Sequence, residues 1–284
     1  MSRAKPFFQD ALETLIVRIR VAKFYLCLLI GGSAVFGYAL AASSFSIDMV
    51  LVGCGLLILA TGAATLNSLQ EYRLDGQLER TRHRPLPQGR ITPGQAGLQA
   101  LVLLVLGLSI IYSATGTLIP VLTAGLAVLL YNGIYTPLKQ KTVLAIVPGA
   151  VCGALPPYIG WLAGGGEGTG YPALLIFALF VLWQIPHFWL VMLSYKVDYT
   201  ASPLPSLLEE FGEVRLSRFM ITWIGAMAVV MLLFTTLPLS SMFRIAIPIN
   251  SGLMLLFMIY GLLLCSPPNY RRVFILLNFF FLLH

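Results

Sequence analysis

Asn67, Glu71 and Asp75 recur at every fourth position, and Glu79 continues the series. On an α-helix four residues turn through about 400°, so such side chains climb one face. Acids stacked on one face repel each other unless a cation sits among them. The residues that follow are cationic: Arg80, Arg82 and Arg84 precede Pro85 and Pro87. Carboxylates backed by arginines can hold a divalent ion together with the diphosphate it chelates. A solvated helix end with intrahelical Glu–Arg pairs uses the same residues, and the spacing leaves both readings open.

Trp183-Gln184-Ile185-Pro186-His187-Phe188-Trp189 is a second group with chemical content. His187 lies eleven residues before Asp198, nearly three whole turns, so a regular helix would put both on one face. A histidine in an apolar run serves either as helix–helix glue, bonded to Gln184 or a carbonyl, or as an iron ligand or polar contact to a bound molecule. Lys139 and Lys141 follow Tyr135-Thr136-Pro137, and either mark topology or join the arginines around a phosphate. Gly164 to Gly170 is glycine-rich but has no following Lys-Ser/Thr pair, so it reads as a flexible turn. Cys27, Cys54, Cys152 and Cys265 are scattered through apolar runs with no C-x-x-C pair and read as packing residues.

The elements that must carry these groups are membrane helices. Apolar residues make up 58% of the 284-residue chain and charged residues 10%, against about 25% charged in soluble domains. Repeated long apolar runs suit an all-α polytopic protein and not alternating barrel strands. Spans are expected at 24–43, 47–67, 95–114, 117–136, 143–163, 172–195, 219–238 and 245–265, with a short ninth at 273–284. Residues 1–23 read as an amphipathic segment on the membrane surface, and the first span as uncleaved although Ala39-Leu40-Ala41 resembles a signal cleavage site. With the N-terminus in the cytoplasm, seventeen of the eighteen Lys and Arg residues fall inside and only Arg244 outside. The net charge of +7 then belongs to cytoplasmic loops and anionic lipid headgroups, and no nucleic-acid partner is expected. None of these spans has an acid or base deep within it, which disfavours ion-coupled transport and favours chemistry on a polar-headed, greasy-tailed substrate. Spans two and six each run into acids and bases on the cytoplasmic side, a faint hint of two halves facing one site.

Asn67-x-x-x-Glu71-x-x-x-Asp75, followed by Arg80 to Pro87, resembles the first aspartate-rich motif of UbiA-type intramembrane prenyltransferases. The run from Trp183 to Trp189 is similar to a segment of that superfamily's protoheme IX farnesyltransferase (haem O synthase) branch. Tyr135-Thr136, Lys139 to Thr142 and Gly153 to Trp161 fit the same branch. The likeness covers roughly residues 60–205, and more loosely the remaining spans. It implies one prenyltransferase domain over 1–284: about nine helices around a central cavity, capped by cytoplasmic loops, in a bacterial cytoplasmic (inner) membrane. It also implies farnesyl diphosphate and haem B as substrates and Mg²⁺ as cofactor.

Carried over by motif, Asn67, Glu71, Asp75 and Asp198 become catalytic, with Glu71, Asp75 and Asp198 on the metal. Arg80, Arg84, Lys139, Lys141 and Lys196 fall to the diphosphate, and His187 to haem. Glu71 stands where the family usually has aspartate, Arg73 where aspartate is frequent, and Val197 where the second motif usually has a further acid. The expected negative charge around the metal is correspondingly lower. The implied reaction is farnesyl transfer to a haem vinyl group, with hand-over to a terminal oxidase or haem A synthase left open. Its competitors are a prenyltransferase for a quinone precursor or other aromatic acceptor and, in another class, an isoprenoid or lipid transporter or a haem-binding membrane chaperone.

Overall fold

The computed structural model describes residues 7–42, 44–200, 205–265 and 268–283, and every element among them is helical. α1 (Phe7–Val21) precedes α2 (Phe24–Ala41), and the two are joined at Lys23, whose φ of 50° and ψ of 42° are left-handed. α3 (Ile47–Asp75) starts at Ser46, whose hydroxyl accepts from Met49 N. α4 (Pro93–Thr115) starts with a reciprocal cap, Thr92 and Gln95 each satisfying the other's backbone N–H, with Pro93 in the first turn. Gly116, with φ 63°, ends it.

α5 (Leu118–Val128) passes into a π-helical stretch, Leu129–Tyr135, and then the short α6 (Thr136–Leu138). α7 (Ile146–Ala163), α8 (Tyr171–Ser194) and the five-residue α9 (Lys196–Thr200) follow. α10 (Leu207–Leu233), α11 (Ser241–Ile259) and α12 (Tyr270–Leu282) complete the described chain.

Eight of the described helices are long and apolar enough to cross a membrane. The chain is an integral membrane protein. The expected short ninth span is α12, whose 13 residues extend about 20 Å against a hydrocarbon core of about 30 Å. It begins at Tyr270, three residues earlier than the apolar run suggests, because Asn269 caps it by accepting from Arg272 N. α10 likewise begins before the expected span at 219, and it holds a break at Gly212 (φ 70°, ψ 166°). α3 departs most from expectation. It continues eight residues past the expected end at 67 and reaches 29 residues, about 44 Å. Its surplus turns follow Asn67 and carry Glu71 and Asp75.

The chain divides into two compact units, residues 1–136 with 159–165, and residues 137–158 with 166–284. In the first unit α3 and α4 pack with their backbones close. A Cβ on Gly107 would lie 2.6 Å from Leu59 N, and one on Gly62 would lie 2.9 Å from Leu104 N. Small residues at such points let helices associate where lipid offers no hydrophobic driving force. The last turns of α1 close a small core of Val17, Val21, Leu86, Ile91 and Ala96, so the segment after α3 is pinned between α1 and α4. Leu12, Leu15 and Ile16 are left exposed on α1, as a surface-lying amphipathic helix requires.

The second unit is cored by α8, α10, α11 and α12. Met220, Met227, Met231, Met254 and Met258 are all fully buried there, unbranched side chains that fill irregular gaps between crossing helices.

Candidate functional site

The first unit builds an acid face on the last turns of α3. Asn67, Glu71 and Asp75 are 1%, 6% and 5% exposed, far too buried for a merely solvated helix end. Burying carboxylates is costly without partners. Arg84 Nη1 donates to both oxygens of Asp75, at 2.9 and 2.7 Å. Asp75 also anchors the turn that brings Arg84 back, since its carbonyl accepts from Thr81 Oγ1 at 3.0 Å. Pro85 and Leu86 are buried beside it.

The upper end of the face is held from the N-terminal side. Lys23 Nζ donates to Asn67 Oδ1 at 2.8 Å, and Asn67 Nδ2 donates to Thr136 Oγ1 at 3.1 Å. That hydroxyl in turn donates to Tyr131 O at 2.9 Å, a carbonyl inside the π-helical stretch. Ser68 Oγ shares its proton between Ala64 O (2.9 Å) and Val21 O (3.1 Å), tying α1 to the same turn. Gln70 and Asn132 exchange bonds one turn away: Gln70 Nε2 donates to Asn132 O at 2.9 Å and Asn132 Nδ2 to Gln70 Oε1 at 3.1 Å.

Two expectations about this region change. Glu79 is not a fourth rung, because α3 ends at Asp75 with Gly76 as its cap, and Glu79 pairs instead with Arg82 on the exposed turn. Of Arg80, Arg82 and Arg84, the last pairs with the buried Asp75 and Arg82 with the exposed Glu79. Arg80 is exposed and makes no ion pair among the described residues. Lys23 is a site residue that sequence reasoning counted only toward topology. Its left-handed conformation, unusual outside glycine, is what carries the ammonium from the start of α2 to Asn67, and no spacing rule reveals it.

The second unit holds the remaining candidates. Lys139 is half-buried and Lys141 exposed, on the segment after α6. Lys196 Nζ pairs with Glu213 Oε1 at 2.8 Å, and Tyr270 Oη donates to Glu213 Oε2 at 3.2 Å. The hydrogen bond from Lys196 to Glu213 raises the lysine pKa above its ordinary value. Lys196, Val197, Thr200, Leu208, Gly212 and Glu213 line a hollow of about 410 Å³. The side chain of Asp198 lies outside the described residues. The regular helix from His187 to Asp198 assumed in the sequence is interrupted at Tyr195 (φ −118°, ψ 34°) before α9 starts.

His187 sits mid-helix on α8, with Pro186 accommodated inside the helix. Its ring lies 4.5 Å from Trp183 and 4.8 Å from Phe274, and Trp183 stacks on Phe281 at 4.5 Å. Its Nδ1 is 3.1 Å from the side-chain amide oxygen Oδ1 of Asn278 on α12, so the partner of that nitrogen is the amide of another helix and not Gln184. Gln184 is packed against α7 instead: a Cβ on Gly153 would lie 2.5 Å from Gln184 Oε1. The indole N–H groups of Trp183 and Trp189 are buried with no hydrogen-bond partner among the described residues. Asn278 was invisible to motif reasoning, since it stands alone in the apolar run Val273–Leu282.

Asn67, Glu71 and Asp75 offer oxygen donors only, the chemistry a hard cation takes. No group of three or more His, Cys, Asp or Glu able to hold a metal forms among the described residues. That donor set fits Mg²⁺, which is bound through one or two carboxylates with substrate phosphates completing the shell.

The model of the UbiA prenyltransferase family matches residues 30–283. A protein from Geobacter sulfurreducens named protoheme IX farnesyltransferase is 37% identical over 255 residues, covering 90% of this chain and 92% of its own. A solved structure described as digeranylgeranylglyceryl phosphate synthase in membranes superposes with a TM-score of 0.75 at 16% identity, over 95% of this chain and 94% of that one. A UbiA homolog from Archaeoglobus fulgidus bound to GPP and Mg²⁺ gives 0.68 at 15% identity, over 94% and 97%. At such identities the two structures speak for the fold alone. The matched region takes in the acid face, the His187 helix and every membrane helix from α3 onward, and the chain belongs to the UbiA prenyltransferase family.

Proposed function

We propose that this chain transfers the farnesyl group of farnesyl diphosphate to a vinyl carbon of haem B, giving haem O. The carrying observation is the face of Asn67, Glu71 and Asp75, buried on consecutive turns at the end of a membrane helix with Arg84 and Lys23 bound to it. An oxygen-rich, cation-backed face at that position suits a phosphorylated head whose tail stays in the apolar region. The 37% identical Geobacter relative directs the choice of donor and acceptor.

In this reading Glu71 and Asp75, with Asn67, would hold Mg²⁺, and Asp198 is assigned to metal by its motif alone. When bound, Mg²⁺ supplies neutralising charge for the leaving diphosphate. Arg84 and Lys23 already lie on the acid face and can turn their N–H groups toward phosphate oxygens as the head enters; Arg80, Lys139, Lys141 and Lys196 add positive charge. The allylic C–O bond breaks with its electron pair leaving on the diphosphate. The vinyl π pair of haem forms the new C–C bond, and water adds to the resulting cation, releasing a proton and leaving a hydroxyethylfarnesyl side chain. Surrounding apolar side chains delay capture of the farnesyl cation by water.

His187 contacts the haem acceptor, and the unpartnered N–H groups of Trp183 and Trp189 are donors for an acceptor carrying carboxylates. The whole of 1–284 acts as one prenyltransferase domain, in a bacterial inner membrane with its N-terminus in the cytoplasm.

The test supplies purified protein with haem B, farnesyl diphosphate and Mg²⁺. Prenylated haem and released diphosphate, both lost with EDTA, are the expected result. A phenolic acceptor used while haem is ignored would move the protein to the aromatic prenyltransferases. Binding without diphosphate release would mark a transporter or haem chaperone.

A further inference from the structure

We infer that Asn278 is a positioning residue: it holds His187 as the Nδ1–H tautomer, leaving the Nε2 lone pair for the iron of the haem acceptor. The inference rests on the reading of haem as acceptor and adds to it the group that orients the ligand.

The amide of Asn278 is not free to turn over. Its Nδ2 donates to Phe274 O, one turn back on α12, at 2.6 Å, which places Oδ1 on the side of His187. A carbonyl oxygen can only accept, so the ring nitrogen 3.1 Å away must carry the proton. A neutral imidazole protonated at Nδ1 has its lone pair on Nε2. Metal-ligating histidines are characteristically set this way, the far nitrogen donating to an oxygen that fixes tautomer and ring plane. The ring is also wedged between Trp183 and Phe274, whose centroids lie 4.5 and 4.8 Å from it. The amide and two aromatic neighbours together restrain both the rotation and the tilt of the imidazole.

The experiment titrates full-length protein in detergent with haem B and records the Soret band and the ferrous iron–histidine stretch by resonance Raman. Asn278→Asp keeps the side-chain volume and offers a stronger acceptor, so the stretch rises. Asn278→Leu removes the acceptor, so the stretch falls and haem affinity drops about 10-fold, the low end for loss of a group orienting a metal ligand. His187→Ala abolishes the stretch. If His187→Ala lacks the stretch while Asn278→Asp matches wild type, the role of Asn278 is overturned and the haem reading stands. If wild type shows no iron–histidine stretch, or His187→Ala retains it, the ligand reading fails and the inference with it. Asn278→Asp, close to isosteric, keeps the test decisive if the leucine variant does not fold.

Discussion

The acid face of α3 and the His187 cluster of α8 work by opposite means. The first is a concentration of charge: two buried carboxylates and an amide, with Arg84 on Asp75 and Lys23 on Asn67 through bonds of 2.7–2.9 Å. The second is almost uncharged, an imidazole held by one amide and a ring of aromatics. A buried ion pair broken on one side leaves a stranded charge, whereas an apolar cage loses only contact area and one hydrogen bond. The two regions should therefore fail differently, the first in chemistry and the second in acceptor binding.

The largest effect is expected at Asp75. Asp75→Asn removes one charge at unchanged size and should lower kcat at least about 100-fold, the scale for losing one electrostatic contact to a transition state. Diphosphate release by purified, correctly inserted protein reads this out, and wild-type turnover would break the comparison on the charged side. Lys23→Met should come next, raising KM for farnesyl diphosphate about 10-fold, the 1.4 kcal/mol expected of one hydrogen bond to a charged group. Equal KM values in the two proteins would reduce Lys23 to a tether for α1.

Gly153→Ala sharpens the uncharged side. The added carbon meets Gln184, a side chain that can shift, so the cost is about 1–3 kcal/mol of stability, with acceptor affinity falling before turnover does. Thermal unfolding alongside haem titration checks it. The smallest effect belongs to Lys196→Met. Its partner Glu213 is exposed enough for salt to screen the pair, so the melting temperature should hold and only a low-salt rise in KM should appear.

How legible these regions were follows from the same contrast. The α3 face could be read because its acids keep helical spacing and sit next to a basic, proline-bounded run. The eight spans could be read from apolar length. Glu79 misled because spacing alone does not show where a helix stops. Gly76 and the Arg82 pair end the ladder one rung early. Lys23, Thr136 and Asn278 stayed hidden because each acts at a distance in sequence: Lys23 is 44 residues from Asn67, and Asn278 is 91 from His187. Periodicity reports the face a residue occupies on its own helix and nothing of the neighbour that face meets.

The wide-turned stretch at Leu129–Tyr135 has a consequence for lineage. Such a turn accommodates a residue beyond what an ordinary helix holds, so removing one there would let the segment tighten and swing everything after it by about 100°. Thr136 would rotate off Asn67, although no atom of either residue had been altered. Within this family, a shortened fourth span should mark chains that hold the amide at the Asn67 position by some other hydroxyl.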